Sequence, residues 1–196
     1  MSDREALARA IVERGAIRYT PGSAQFELRS GALSDFYADL SVPLMYPADR
    51  EAIRERVRAE LWDLPPALYL CGVALGGALV AHTLGFPTLI ARRSQGKRLM
   101  EPEIEPPSAR ENRRIIVIDD VATSGNSVVY ACDVAYRRGW VVVGAIVVVD
   151  REEGAREAIE KWGRTFGEPG FEFRAVLTRA DLIRALAGES PVDTER

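Results

Sequence analysis

The stretch Ile115–Val129, IIVIDDVATSGNSVV, opens with four aliphatic residues and sets Asp119 and Asp120 side by side. It then crosses a short turn of Thr123, Ser124 and Gly125 and becomes apolar again. A continuous aliphatic run suits a strand buried on both faces, as in a parallel sheet. In open α/β sheets, ligands bind beyond the carboxyl ends of the strands, at a reversal of strand order. The acid pair is expected to stand at such an end. Residues 123–127 bridge into a helix, whose first amides carry partial positive charge, and Gly125 lets a ligand approach the backbone closely. The hydroxyls of Thr123, Ser124 and Ser127 add donors. This is the chemistry of a phosphate cradle beside two carboxylates. It fits a ligand that carries a phosphate near a diol, and carboxylates can also help Mg²⁺ hold a polyphosphate. The Gly-Lys-Ser/Thr element of a P-loop and the Gly-x-Gly-x-x-Gly dinucleotide fingerprint are both missing.

The flanking sequence extends the α/β reading. Ala67–Cys71, Thr88–Ala91, Val141–Val149 and Phe171–Leu177 are apolar runs of strand length. Between them, helices are expected from about Gly77 to Leu84, from Ser127 to Arg138 with Gly139 closing it, and from Glu152 to Trp162. Thr178-Arg179-Ala180-Asp181 caps a last short helix, and Ser2-Asp3-Arg4-Glu5 has the form of a capping box for the first, which Gly15 can end. Pro47 opens another helix, with Ile53, Val57 and Leu61 four residues apart. From Ile17 to Leu40 the pattern is short and β-like, broken by Pro21-Gly22 and Ser30-Gly31, which places small strands outside any central sheet. Strand and helix alternate from residue 67 onward, so the fold is α/β with a mainly parallel sheet. One domain is expected over 1–187, with the N-terminal helix and small strands in 1–45 and the α/β core in 46–187; the polar tail 188–196 is expected to be disordered.

The bulk numbers exclude more than they assert. A chain of 196 residues with 47% apolar and 28% charged residues can bury a core without disulfides. A net charge of −3 gives no electrostatic footprint for nucleic acid. No signal peptide and no membrane span are expected, since no stretch nears the roughly 18 apolar residues a span needs. Cys71 and Cys132 lack metal-type spacing and sit among apolar residues, so both are expected to be buried, reduced thiols of a cytoplasmic protein.

Val117–Ser127 resembles the PRPP-binding signature of the type I phosphoribosyltransferases, with hydrophobic strand, acid pair and Thr/Ser-Gly turn in register. That resemblance implies a Rossmann-like sheet flanked by helices, with a small N-terminal hood. It implies that Asp119 and Asp120 contact the ribose hydroxyls of phosphoribosyl pyrophosphate, that Val121 and Ala122 belong to the same PRPP site, and that Thr123, Ser124, Gly125, Asn126 and Ser127 bind its 5′-phosphate. Mg²⁺ would enter with PRPP, with Asp119 and Asp120 as candidate ligands. Several segments are similar to the orotate phosphoribosyltransferases in particular. Phe26–Gly31 and Ser34–Asp39 resemble that hood, implying base contacts from Arg29 and Tyr37, with Thr123 nearby. Gly72–Gly77 matches the pyrophosphate loop, implying contacts from Ala74, Leu75 and Gly76. Asp150-Arg151 resembles the pair whose arginine hydrogen-bonds the orotate ring, and a guanidinium fork suits a planar acceptor pair. The polar stretch Arg92–Asn112 resembles the mobile catalytic loop, implying that Arg92, Arg93 and Lys97 reach the pyrophosphate in a homodimer partner's site.

The chain departs from the pattern in three places. Its loop lacks the usual histidine, the only one being His82 in the small-residue helix, read as structural. Ala32 and Ser41 stand where basic residues are common. Three readings follow: an orotate phosphoribosyltransferase, a phosphoribosyltransferase for uracil or a purine, and a PRPP-sensing regulator on the same fold.

Overall fold

Ser2 caps the first helix as expected in the computed structural model, which describes residues 2–27, 31, 33–67, 69–91 and 114–188. The Ser2 hydroxyl accepts from the Glu5 amide and the Glu5 carboxylate accepts from the Ser2 amide, opening α1 (Asp3–Glu13). Gly15, at φ 70°, takes the chain out of it. Four short strands follow: β1 (Ile17–Tyr19), β2 (Phe26–Glu27), β3 (Leu33–Ser34) and β4 (Phe36–Ala38). They pair antiparallel as β1 with β4 and β2 with β3, outside the main sheet. A short helix that periodicity did not show, α2 (Ser41–Met45), leads into α3 (Pro47–Leu61), whose first residue is the expected proline.

The core then alternates: β5 (Tyr69–Val73), α4 (Ala74–Thr83), β6 (Thr88–Ala91), β7 (Arg114–Ala122), α5 (Asn126–Arg137), β8 (Val141–Asp150), α6 (Ala155–Phe166), β9 (Glu172–Thr178) and α7 (Arg179–Ala187). The five strands are all parallel, in the order β6-β5-β7-β8-β9. After β5 the chain moves outward to β6, then crosses back to β7 and continues the other way. The reversal therefore lies between β5 and β7, and α4 and α5 both begin at that crevice.

The aliphatic runs are apolar on both sides because both sides are covered. Along β7, Ile116 and Ile118 pack into a core with α1, α3 and α4, while Ile115 and Val117 pack into a second core with α5 and α6. All four are 3% exposed or less, and each contributes about 1.5–3 kcal/mol of burial. Cys71 and Cys132 lie in the second core as free thiols. Burial pushes the Cys71 thiol up to about 12 and Cys132 well above its ordinary value.

At the other end of the chain, α7 has the expected capping box of Thr178 and Asp181. The Asp181 carboxylate also accepts from Arg4 of α1 at 2.6 Å, joining the terminal helices. Burial raises the Asp181 pKa, but the hydrogen bonds from the Thr178 amide, Arg4 and the Thr178 hydroxyl outweigh it and hold the carboxyl below its ordinary value.

Three elements, β7, α4 and α6, differ from expectation by three residues or more at one end. Strand β7 runs four residues past Ile118, because Asp119, Val121 and Ala122 still pair with Val147, Val149 and Asp150 of β8. The acid pair thus lies within the last residues of the strand, with Val121 and Ala122 still paired beyond it. Helix α4 starts at Ala74, three residues before Gly77, so the glycine-rich segment is no loop. Helix α6 starts at Ala155 rather than Glu152, since residues 151–154 form a turn ended by left-handed Gly154. The expected tail beyond Gly188 lies outside the described residues.

Candidate active site

Asp119 and Asp120 stand where strand β7 passes the start of α4. Asp119 is buried, at 5% exposure, and its Oδ1 accepts from the Asp120 amide at 2.9 Å. Asp120 is half-buried. What brings α4 against them is the run of glycines. A Cβ on Gly77 would fall 2.8 Å from the Asp119 Cα, and closer still to the Ile118 carbonyl oxygen. A Cβ on Gly76 would lie 2.6 Å from the Asp120 Oδ1, inside contact with the rest of that carboxylate. Gly72 is constrained similarly, with a Cβ 2.6 Å from the Ala78 amide nitrogen. The glycines therefore allow the first turn of a helix to lie directly on the acid pair.

The turn after β7 takes the expected form. Thr123 and Ser124 lead to Gly125, which is left-handed at φ 74° and caps α5. Gly125 also packs on the next helix, where a Cβ would sit 3.0 Å from the Ala155 carbonyl oxygen. Asn126 and Ser127 form the exposed first turn of α5; Val121 is half-buried, and the buried Ala122 gives its carbonyl to the Arg151 amide at 2.9 Å. Neither α4 nor α5 has a side-chain cap, so the amides of their first turns stay available to a ligand. The side chain of Leu75 in the α4 turn is exposed, leaving its backbone as the part that can meet an anion. Two helix starts with a pair of carboxylates between them suit a ligand that carries phosphates toward both ends and hydroxyls in the middle.

Arg151 is placed differently from the expected free fork. It is buried, at 4% exposure, and its Nη2 donates to the Phe36 carbonyl at 2.6 Å, the Ser34 hydroxyl at 2.8 Å and Glu153 Oε1 at 2.9 Å. It thus brings the hood to the end of β8. Neighbouring Asp150 is also buried; burial pushes its carboxyl up against the opposing pull of the Glu152 amide. Tyr37 follows Phe36 on β4, and its ring lies against Phe26 at 5.9 Å and under the Arg18 guanidinium at 4.5 Å. The aromatic ring next to Arg151 is that of Phe36, 5.6 Å from its Cζ. Arg18, Ser34 and Glu153 carry no motif of their own in the sequence: Ser34 meets Arg151 from 117 positions away, and Glu153, two residues from Arg151, becomes its partner only through the fold of the turn. Arg29, Arg92, Arg93 and Lys97 lie outside the described residues. His82 is exposed on α4.

Among the described residues no group of three or more His, Cys, Asp or Glu could hold a metal ion. Two adjacent carboxylates suit a hard cation whose other ligands come from substrate phosphates and water, the usual habit of Mg²⁺.

Residues 79–178 match the phosphoribosyl transferase domain, and the chain belongs to that family. An orotate phosphoribosyltransferase of Pyrococcus abyssi is 32% identical over 191 residues, covering 93% of this chain and 96% of the relative. The crystal structure of the Aeropyrum pernix orotate phosphoribosyltransferase is 28% identical with a TM-score of 0.67, covering 92% of this chain and 99% of that one. The Mycobacterium tuberculosis enzyme of the same name, solved in complex with PRPP, is 27% identical with a TM-score of 0.65 over the same shares of the two chains. Among the described residues no helix is long and apolar enough to cross a membrane.

Proposed function

We infer that the protein is an orotate phosphoribosyltransferase. It transfers ribose-5-phosphate from PRPP to a ring nitrogen of orotate, giving orotidine 5′-monophosphate and pyrophosphate. The observation that carries this reading is the acid pair of β7 held between the bare starts of α4 and α5, in a chain whose full-length relatives carry that name.

The chemistry asks for positioning and electrostatics rather than a nucleophile. Asp119 and Asp120 accept hydrogen bonds from the ribose hydroxyls and fix the sugar. Residues Thr123–Ser127 hold its 5′-phosphate on the amides of α5. The amides of Ala74, Leu75 and Gly76 face the pyrophosphate. As the anomeric carbon gains oxocarbenium character, negative charge builds on the departing pyrophosphate, and Arg92, Arg93 and Lys97 are assigned to stabilise it. Asp119 or Asp120, together with the substrate phosphates, would hold Mg²⁺, which would supply further charge neutralisation. Arg29, Tyr37, Thr123 and Arg151 are assigned to the base.

A homodimer belongs to this reading. Helix α4 is apolar all round, and such a helix is normally covered on both sides. One side lies on the sheet. On the other, Leu75 is 75% and Leu79 44% exposed, with Met45 of the adjoining α2 at 69%. A second copy seated there buries them. Leu79→Glu is expected to convert a dimer to a monomer in sedimentation velocity; a wild-type monomer contradicts the assembly. A cytoplasmic location agrees with two free thiols, the state a reducing compartment maintains.

The deciding experiment incubates the protein with PRPP and Mg²⁺ against orotate, uracil and the purine bases. Orotate is expected to be consumed, as followed by its ultraviolet absorbance, with activity lost in excess EDTA. Turnover of another base alone gives the enzyme a different acceptor. PRPP binding with no base consumed makes the protein a sensor instead.

A further inference from the structure

The arrangement around Arg151 bears on how the base is read. Both two-nitrogen edges of a guanidinium share Nη2: one pairs it with Nε, the other with Nη1. Here Nη2 has three acceptors for its two hydrogens, from Ser34, Phe36 and Glu153. The Ser34 hydroxyl is committed as well. It accepts from Arg151 and from the Phe36 amide at 3.2 Å, and donates to Glu153 Oε1 at 3.4 Å. A planar acceptor pair therefore finds neither edge open. Among the described residues the donors left are Nη1 and the Nε, which is buried without a hydrogen-bond partner there.

Glu153 holds its position through a built turn. The Asp150 carboxylate accepts from the Glu152 amide at 2.9 Å, and Glu152 has φ 58°, the one positive value at a non-glycine among the described residues. The Glu152 carboxylate in turn accepts from the Ala180 amide at the start of α7, at 3.0 Å. With both sides of the turn tied, Glu153 is set back over Arg151. The hood has a second fastener independent of this one, the 2.7 Å ion pair between Arg179 of α7 and Asp35.

We propose that Glu153 is a positioning residue for the acceptor base. With Ser34, it commits the shared nitrogen of Arg151 to the hood, so that Arg151 meets the base through single donors in a fixed orientation. The proposal rests on the reading of Arg151 as the base contact. It makes hood placement and base recognition one event, because the same nitrogen serves both.

The test is steady-state kinetics of Glu153→Ala, Glu153→Gln and Ser34→Ala, varying each substrate in turn. Losing a charge-assisted hydrogen bond is expected to raise the orotate KM of E153A about tenfold. The PRPP KM stays within about twofold and the thermal midpoint stays near wild type, since Arg179 still holds the hood. E153Q, which keeps an acceptor oxygen in place, recovers most of the loss. S34A moves the orotate KM in the same direction and gives the same decision should E153A not fold. In an Arg151→Lys background, adding E153A changes the orotate KM by no more than about twofold, as non-additivity requires of residues acting as a unit. An unchanged orotate KM, a parallel rise in both KM values, or a full effect in the R151K background overturns the proposal. If the wild type turns over another base instead, the assignment to orotate fails separately, and the same comparison is made with that base.

Discussion

Replacing Asp119 and Asp120 together with asparagine is expected to lower kcat/KM about 10³-fold while the protein stays folded. Each carboxylate is assigned to accept a hydrogen bond from a ribose hydroxyl. A hydrogen bond to a charged acceptor is worth about 1.5–3 kcal/mol, or about 10–10² in rate each. The fold should tolerate the change. Asparagine has nearly the same shape, and its carbonyl oxygen can still accept from the backbone amide of residue 120, as Asp119 Oδ1 does at 2.9 Å. Strand β7 is secured on both sides by pairing with β5 and β8, which does not depend on these side chains. The thermal midpoint is therefore expected within about 3 °C of wild type, a shift below 1 kcal/mol for a domain of this size. A double variant that is folded and turns over at near-normal rate removes the acid pair from the mechanism.

What could be read from the sequence was whatever depends on residues close together in the chain. Ser2 with Glu5, and Thr178 with Asp181, are capping boxes closed within three residues, and both are present. The Val and Ile runs declared buried strands because the reason for them, a helix layer on either face, acts on every residue of the run. The end of β7 was harder to read, because pairing of Asp119, Val121 and Ala122 with β8 is a long-range hydrogen-bonding fact that no local propensity reports. Arg151 illustrates the same limit. Its residue type and place after Asp150 were visible, but Ser34, its partner, is 117 positions away. Seen alone, the arginine suggested a free fork; the fold has already engaged the nitrogen that the fork needs.

The glycines of α4 lie inside the helix, where the sequence suggested a loop ahead of it, and they supply the sharpest contrast between stability and activity. In the first turn of a helix, glycine to alanine ordinarily stabilises, by up to about 1 kcal/mol. Here both substitutions are expected to have the opposite sign. Gly77→Ala would place a methyl group 2.8 Å from the Asp119 Cα, against backbone of the central strand that cannot move without breaking the sheet. Helix α4 must then lift off β7, at a cost of about 3 kcal/mol, the upper range of overpacking. Gly76→Ala meets instead the carboxylate of Asp120, the free end of a side chain. That group can rotate away, so the stability cost should stay near 1 kcal/mol, and the loss appears in turnover. Moving an assigned ribose ligand by about 1 Å can cost about 10²-fold. Denaturant midpoints with kcat/KM for the two variants separate these effects: G77A chiefly less stable, G76A chiefly less active. If G76A keeps wild-type kcat/KM, the position of Asp120 is not set by α4, and the glycine run serves packing alone.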